Sequence, residues 1–331
     1  MFDLLRHKFM KLTRFAAYAW GVLGYNLLVI LWGAYVRATG SGAGCGSHWP
    51  LCNGEVIPRA PEIKTIVEFT HRLSSGLALL SVVALVFLAF RYFPRRSAVR
   101  WGAALSLIFM LTEALVGAGL VLFELVADNA SIARALFMSV HLTNTFILVA
   151  WLSLTAWWAS GGSTPCWQKP RWSSLLLAVN LIALVVLGVS GAVAALGDTL
   201  YPATSLQQAL AQDFSPTAHV LIRLRIIHPF LAVATVFGLM IATTANLVFQ
   251  PETWVKRLGV IVICLAVLQM PLGLMNIYLL APIPLQLMHL LMADLIWITS
   301  ILLTNSALSI SRSTAVTTPD YATGAAVLSV K

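Results

Sequence analysis

Charge is scarce in this chain: 10% of its 331 residues are Asp, Glu, Lys or Arg, and 12 of them are acidic. A soluble domain carries roughly 25% charged residues, so a soluble enzyme is excluded. The four cysteines are too few for a disulfide scaffold, and any bridge serves a local purpose. The net charge of +9 is scattered between apolar runs and never gathers into a basic face, which excludes a nucleic-acid binder. What the chain has in excess is apolar: 59% of its residues, with a mean hydropathy of +0.87. That composition excludes a disordered or collagen-like chain and marks a polytopic membrane protein.

A membrane-spanning helix needs about 20 mostly apolar residues. Eight stretches qualify, at roughly 16–36, 64–90, 101–123, 135–158, 173–195, 221–248, 258–280 and 285–308. The first follows a basic head like that of a signal peptide, but it is too long and has no small-residue cleavage site, so it reads as a retained helix. Basic residues stay on the cytoplasmic side. Arg6, Lys8, Lys11 and Arg14 precede the first span. Arg91, Arg95, Arg96 and Arg100, then Lys169 and Arg171, then Lys256 and Arg257 flank alternate connections, and Arg312 and Lys331 follow the last span. These make 14 of the 21 basic residues on one side. Glu55, Glu62, Glu124, Asp128, Asp198 and Asp213 lie on the other. The expected arrangement is all-helical with both termini inside, and with connections 37–63, 124–134, 196–220 and 281–284 outside. A multi-pass membrane protein follows, with the lipid bilayer as its first partner.

The run Ser160-Gly161-Gly162-Ser163-Thr164-Pro165 divides the spans four and four, into residues 1–160 and 161–331. The halves resemble each other weakly. Gly33-Ala34-Tyr35-Val36 closes span one and Gly191-Ala192-Val193-Ala194 closes span five. Glu113 stands four residues before Gly117 in span three, and Gln269 four before Gly273 in span seven.

Four of the seven histidines lie inside spans: His71, His141, His228 and His289, one in each even-numbered span. All come soon after entry from the outer side, at a common depth of roughly 8–12 Å. Any one of them reads equally well as a helix-packing histidine. Four at one depth, two per half, are poorly explained that way, because ionisable side chains in a bilayer are costly. Imidazole ligates haem iron, and two facing helices in each half could clamp one haem. No cysteine or carboxylate cluster accompanies them, which disfavours zinc or copper. His48 and His219 read as solvated loop residues, and His7 belongs to the basic head.

The first outer loop is the most specific segment: Gly33-Ala34-Tyr35-Val36-Arg37-Ala38-Thr39-Gly40-Ser41-Gly42-Ala43-Gly44-Cys45, then Trp49-Pro50-Leu51-Cys52-Asn53-Gly54. With Glu68-Phe69-Thr70-His71-Arg72 in span two and the single histidines of spans four, six and eight, the chain from about 16 to 309 resembles the haem A synthase family. That resemblance implies an eight-helix protein of two pseudo-symmetric four-helix bundles, oxidising the C8 methyl of haem O to the formyl group of haem A. The N-terminal half would bind the substrate, haem O, at His71 and His141, and the C-terminal half a haem b between His228 and His289. Haem O synthase is then the expected substrate donor, and a terminal oxidase or its assembly factors the acceptor. The electron donor is not named by the sequence, and a homo-oligomer is compatible with it.

The halves differ chemically next to the histidines. Glu68 lies three residues before His71 on one helix face, and Arg225 stands three before His228. A carboxylate there can move a proton or orient water at a porphyrin edge, making Glu68 the catalytic candidate; its other reading is an ion pair with Arg72 or Arg37. Arg72 and Arg225 are candidate partners of haem propionates, or else snorkel to the interface. Cys45 and Cys52 face an oxidising compartment in this topology, which favours a disulfide, structural or exchanging electrons with a thiol donor. Some family members carry a second cysteine pair in the outer loop of the second half, and this chain has none between 196 and 220. Cys166 and Cys264 read as unpaired thiols. Glu113 and Asp294 read as interhelical hydrogen-bonding acids or as part of a proton path. Pro229 and Pro271 predict kinks, and Gly33, Gly117, Gly119, Gly188 and Gly191 close helix approach. A di-haem electron carrier and a haem transporter are the competing readings, and the asymmetry between halves favours the enzyme.

Overall fold

The computed structural model of the chain describes residues 13–166, 172–250 and 252–309. Arg6, Lys8, Lys11, Lys169, Arg171, Arg312 and Lys331, used above to argue sidedness, lie outside them, as does His7. The described residues form ten helices and no strand. They are α1 (Arg14–Ala38), α2 (Ile63–Tyr92), α3 (Ala98–Leu122), α4 (Ile132–Ala159), α5 (Trp172–Leu200), α6 (Leu206–Asp213), α7 (Val220–Arg225), α8 (Ile227–Phe249), α9 (Thr253–Tyr278) and α10 (Ile283–Leu308). Eight spans are long and apolar enough to cross a membrane, α7 and α8 together making the sixth, Val220–Phe249.

Local chemistry explains the starts. Thr13, Ser97 and Ser131 each accept a hydrogen bond from a backbone N–H of the first turn, at 3.1, 3.2 and 3.2 Å, satisfying donors that have no partner inside the helix. The break between α7 and α8 falls at Ile226. Pro229 has no N–H to offer Arg225, four residues earlier, so the expected kink becomes an interruption. Pro271, by contrast, is carried inside a continuous α9. The connection expected at 196–220 is more ordered than its sequence suggests. Its eight-residue α6 is capped by Ser205, which accepts from Gln208 N–H at 3.2 Å; it is too short and polar to register as a span.

Packing follows the membrane pattern, in which large apolar side chains face outward and small residues let helices approach. Leu28, Leu80, Phe87, Phe230, Phe237 and Leu274 are exposed, while Ala16, Ala19, Ala78, Ala89, Ala103 and Ala156 are fully buried. Gly102 lies against Thr155 and Trp158, and Gly188 so close to Phe146 that no side chain would fit. Helices α1 to α4 close a ring, α1 packing on α2 and α4, and α3 on both α2 and α4. Helices α5, α8, α9 and α10 close another, α5 packing on α8 and α10, and α9 on both α8 and α10. The seam between the rings joins α1 and α4 to α5 and α10. Trp297 stacks on Phe146 with ring centroids 5.0 Å apart and donates its indole N–H to the Phe146 carbonyl at 2.8 Å.

Candidate functional site

His71 lies on α2, His141 on α4, His228 on α8 and His289 on α10. Each comes six to nine residues after its span begins, a depth of about 9–14 Å at 1.5 Å per residue. Every one sits over a glycine of the preceding long helix. A Cβ built at Gly33 would lie 3.0 Å from Cε1 of His71, at Gly117 3.7 Å from His141, at Gly191 3.0 Å from His228 and at Gly273 3.3 Å from His289. These glycines therefore seat imidazole rings, a more specific job than general helix approach; Gly119, facing Phe137, and Gly188, facing Phe146, do only the latter.

The rings come in pairs. His71 lies within electrostatic reach of His141, and His289 within reach of His228. The Nδ1 atoms of His71, His141 and His289 are buried without a hydrogen-bond partner among the described residues, while His228 Nδ1 is 3.0 Å from Ser190 Oγ. Imidazoles so little engaged by the protein are available to an external ligand through either ring nitrogen. Two imidazoles on opposite helices of one ring are a donor set that a haem iron takes, so the residues present fit that group. Among the described residues no three His, Cys, Asp or Glu side chains gather as a metal cage.

The cysteine loop, closed by a disulfide between Cys45 and Cys52, both buried, lies against the helix that carries His71. The loop is clamped onto the start of α2. Glu68, only 3% exposed, accepts from the Cys45 N–H at 2.8 Å through one carboxylate oxygen. Through the other it accepts from Arg72 Nε and Nη2, at 3.0 and 2.5 Å. Arg72 Nη1 in turn donates to the carbonyls of His48 and Leu51 at 2.6 and 2.7 Å. Thr65 Oγ1 donates to the Gly44 carbonyl at 2.8 Å, and a Cβ at Gly44 would collide with the backbone of Lys64.

Of the two ion-pair partners considered for Glu68, the structure uses Arg72. Arg37 instead crosses the seam, donating to the Ala195 carbonyl (2.7 Å), Thr199 Oγ1 (2.8 Å) and Gln286 Oε1 (2.8 Å). Arg225, three residues before His228, is held by Asp198 at 2.7 Å and Asp213 at 2.5 Å. Both candidate propionate partners thus carry protein ligands already. Sequence reasoning placed Asp198 and Asp213 in an outer connection but missed their pairing with Arg225, because contacts 27 and 12 residues apart leave no periodic trace.

Glu113 makes the interhelical hydrogen bonds expected of it, accepting from Thr145 Oγ1 at 2.5 Å and Asn144 Nδ2 at 2.6 Å on α4. Asp294 does not. It is 1% exposed, and neither carboxyl oxygen has a hydrogen-bond partner among the described residues. His219 also departs from expectation. It is half-buried and caps α7, accepting from Leu221 N–H at 3.3 Å with its ring 5.2 Å from that of Tyr201. Cys166 and Cys264 are free thiols.

The sequence model of the cytochrome oxidase assembly protein family matches residues 16–301, the whole region that carries the four histidines and the cysteine loop. The chain belongs to this family. The resemblance drawn from the loop and the histidines is thereby met. Family relatives include a Heme A synthase of Bacillus cereus strain AH187, 40% identical over 125 residues, which cover 37% of this chain and 40% of the relative. Proteins named Protoheme IX farnesyltransferase, from two strains of Thermus thermophilus, are 52% and 51% identical over 298 residues. Those matches cover 89% of this chain and 49% of each relative, so the chain spans about half the length of these curated relatives. As a member of that family the chain carries eight membrane-compatible spans among its described residues.

Proposed function

We propose that this chain is a haem A synthase, converting the C8 methyl of haem O to the formyl group of haem A. The observation that carries the reading is the set of four glycine-seated histidines, arranged as two facing pairs. His71 and His141 would hold the substrate, haem O, and His228 and His289 a resident haem b. Taking a methyl to a formyl group removes four electrons from the carbon and adds one oxygen atom, so the reaction draws on water or dioxygen and on an external electron acceptor; a bound haem would supply redox capacity one electron at a time.

The chain's own residues bind, orient and exclude water. Four helices wall off each histidine pair. The Glu68–Arg72 pair holds the disulfide loop against the helix that carries His71, with Glu68 one helical turn from His71, within reach of a proton at that site. The recurring neighbours of α1–α4 and of α5, α8, α9 and α10 support two pseudo-symmetric bundles, 1–160 and 161–331. The basic flanks support termini on the cytoplasmic side of a bacterial membrane. The farnesyltransferase relatives are about twice as long as their match to this chain. We assign farnesyl transfer to the part of them that this chain does not match. The part they share with this chain overlaps the region that the oxidase assembly family covers here. A farnesyltransferase that makes haem O then becomes the natural substrate donor, and an oxidase in assembly the acceptor.

The test is to co-express the chain with a source of haem O and chromatograph the extracted haems. Haem A in the extract supports the synthase. Haem b alone supports a di-haem electron carrier, and haem O formed from haem b by the chain by itself would make it the transferase.

A further inference from the structure

The two rings of helices differ in what stands behind one histidine of each pair. Glu113 and Gln269 occupy the same register, four residues before the glycines that seat His141 and His289. Glu113 Oε1 is 3.5 Å from His141 Nδ1, too long for a full hydrogen bond but on the side of the ring that leaves Nε2 for an iron. The carboxylate does not wander, because Thr145 and Asn144 each donate to one of its oxygens. Asn144 is itself fixed, donating to the Phe109 carbonyl at 2.8 Å and accepting from Thr112 at 2.6 Å. Both Glu113 oxygens therefore act as acceptors, and the contact they lack is a donor from His141. At the other site the side chain is a neutral amide. Gln269 Nε2 donates to the His289 carbonyl at 3.1 Å and lies 3.4 Å from His289 Nε2, while His289 Nδ1 has no partner among the described residues.

We propose that Glu113 is a positioning residue for His141: its anchored carboxylate accepts a hydrogen bond from Nδ1–H, leaves Nε2 for iron and makes that imidazole the more electron-donating ligand, whereas Gln269 leaves His289 an ordinary one. The inference rests on the reading of the histidine pairs as haem ligands. A carboxylate behind a ligating histidine fixes its tautomer and raises its basicity; greater donation stabilises the oxidised iron. The haem on His71 and His141 is thus set to the lower reduction potential by a single side-chain difference, acid against amide.

The experiment uses the full chain produced in cells that make haem b and no haem O, so that haem b is the probe at both sites. Redox titration gives the midpoint potentials, and His71→Ala and His228→Ala assign them to sites. Glu113→Gln should shift the His71/His141 haem to a higher potential and lower its iron–histidine stretching frequency in the ferrous state, leaving the other haem unmoved. Gln269→Glu should shift the His228/His289 haem the opposite way; it decides the matter alone if Glu113→Gln loses haem. Haem retained with both potentials unmoved in both variants overturns the role of Glu113 and leaves the haem reading standing. Unchanged haem content in both histidine variants overturns the two together.

Discussion

Gly33 and Gly191 show how a residue without a side chain carries function. Alanine at either is better for a helix interior by about 1 kcal/mol, yet its Cβ would press on the His71 or His228 ring at 3.0 Å. Gly33→Ala and Gly191→Ala are therefore expected to keep or raise thermal stability while lowering haem content at the matching site; unchanged haem-to-protein ratios would refute the seating role. Glu68 anchors the loop, and substitution tests the proton-handling role proposed for it. Glu68→Gln keeps size and can still accept from the Cys45 N–H, so the chain should fold and bind haem. If the charge assists the oxidation, turnover should fall on the order of 10²-fold, with haem O or its partly oxidised alcohol accumulating in extracts. Wild-type haem A yield would leave Glu68 as the loop's anchor alone. Glu68→Ala strands the largely buried Arg72, a loss of about 3–5 kcal/mol for a broken buried pair, and serves as the structural control.

At the scale of elements, the cysteine loop and α2 behave as one unit. The disulfide, the Glu68 and Arg72 bonds and the Thr65 bond all tie the loop to the first turns of the helix that carries His71. Cys52→Ser should lower haem A yield while sparing the haem b on α8 and α10, read by separate quantification of each haem. Equal loss of both would assign the bridge a general folding role. The break at Ile226 belongs to this scale as well. Pro229 announced a disturbance in the sequence, but Asp198 and Asp213, reaching Arg225 from α5 and α6, hold the short α7 in place.

At the scale of the whole molecule, Arg37 ties the first helix of the chain to α5 and α10. Arg37→Ala should remove three charge-assisted hydrogen bonds across the seam, each worth about 1.5–3 kcal/mol. The expected result is a lower unfolding temperature in detergent and loss of haem from both sites together, unlike the one-sided effect of Cys52→Ser; an unaltered melting curve would count against the seam being held there. The eight spans, the even-helix histidines and the loop motif were legible in the sequence, because span length, depth and local spacing are properties of a segment read by itself. Apolar run length sets which segments can cross a bilayer, whatever their neighbours, and one histidine per even span sets a common depth. Which acid meets which base was not legible. Glu68 had two arginines within plausible reach, Arg225 looked free, and Glu113 and Asp294 looked alike. Only the tertiary structure decided that Arg72 takes Glu68, that two aspartates take Arg225, and that Glu113 is bonded while Asp294 stands alone. Side-chain partners across helices depend on rotation and crossing of whole elements, and no periodicity along one chain records them.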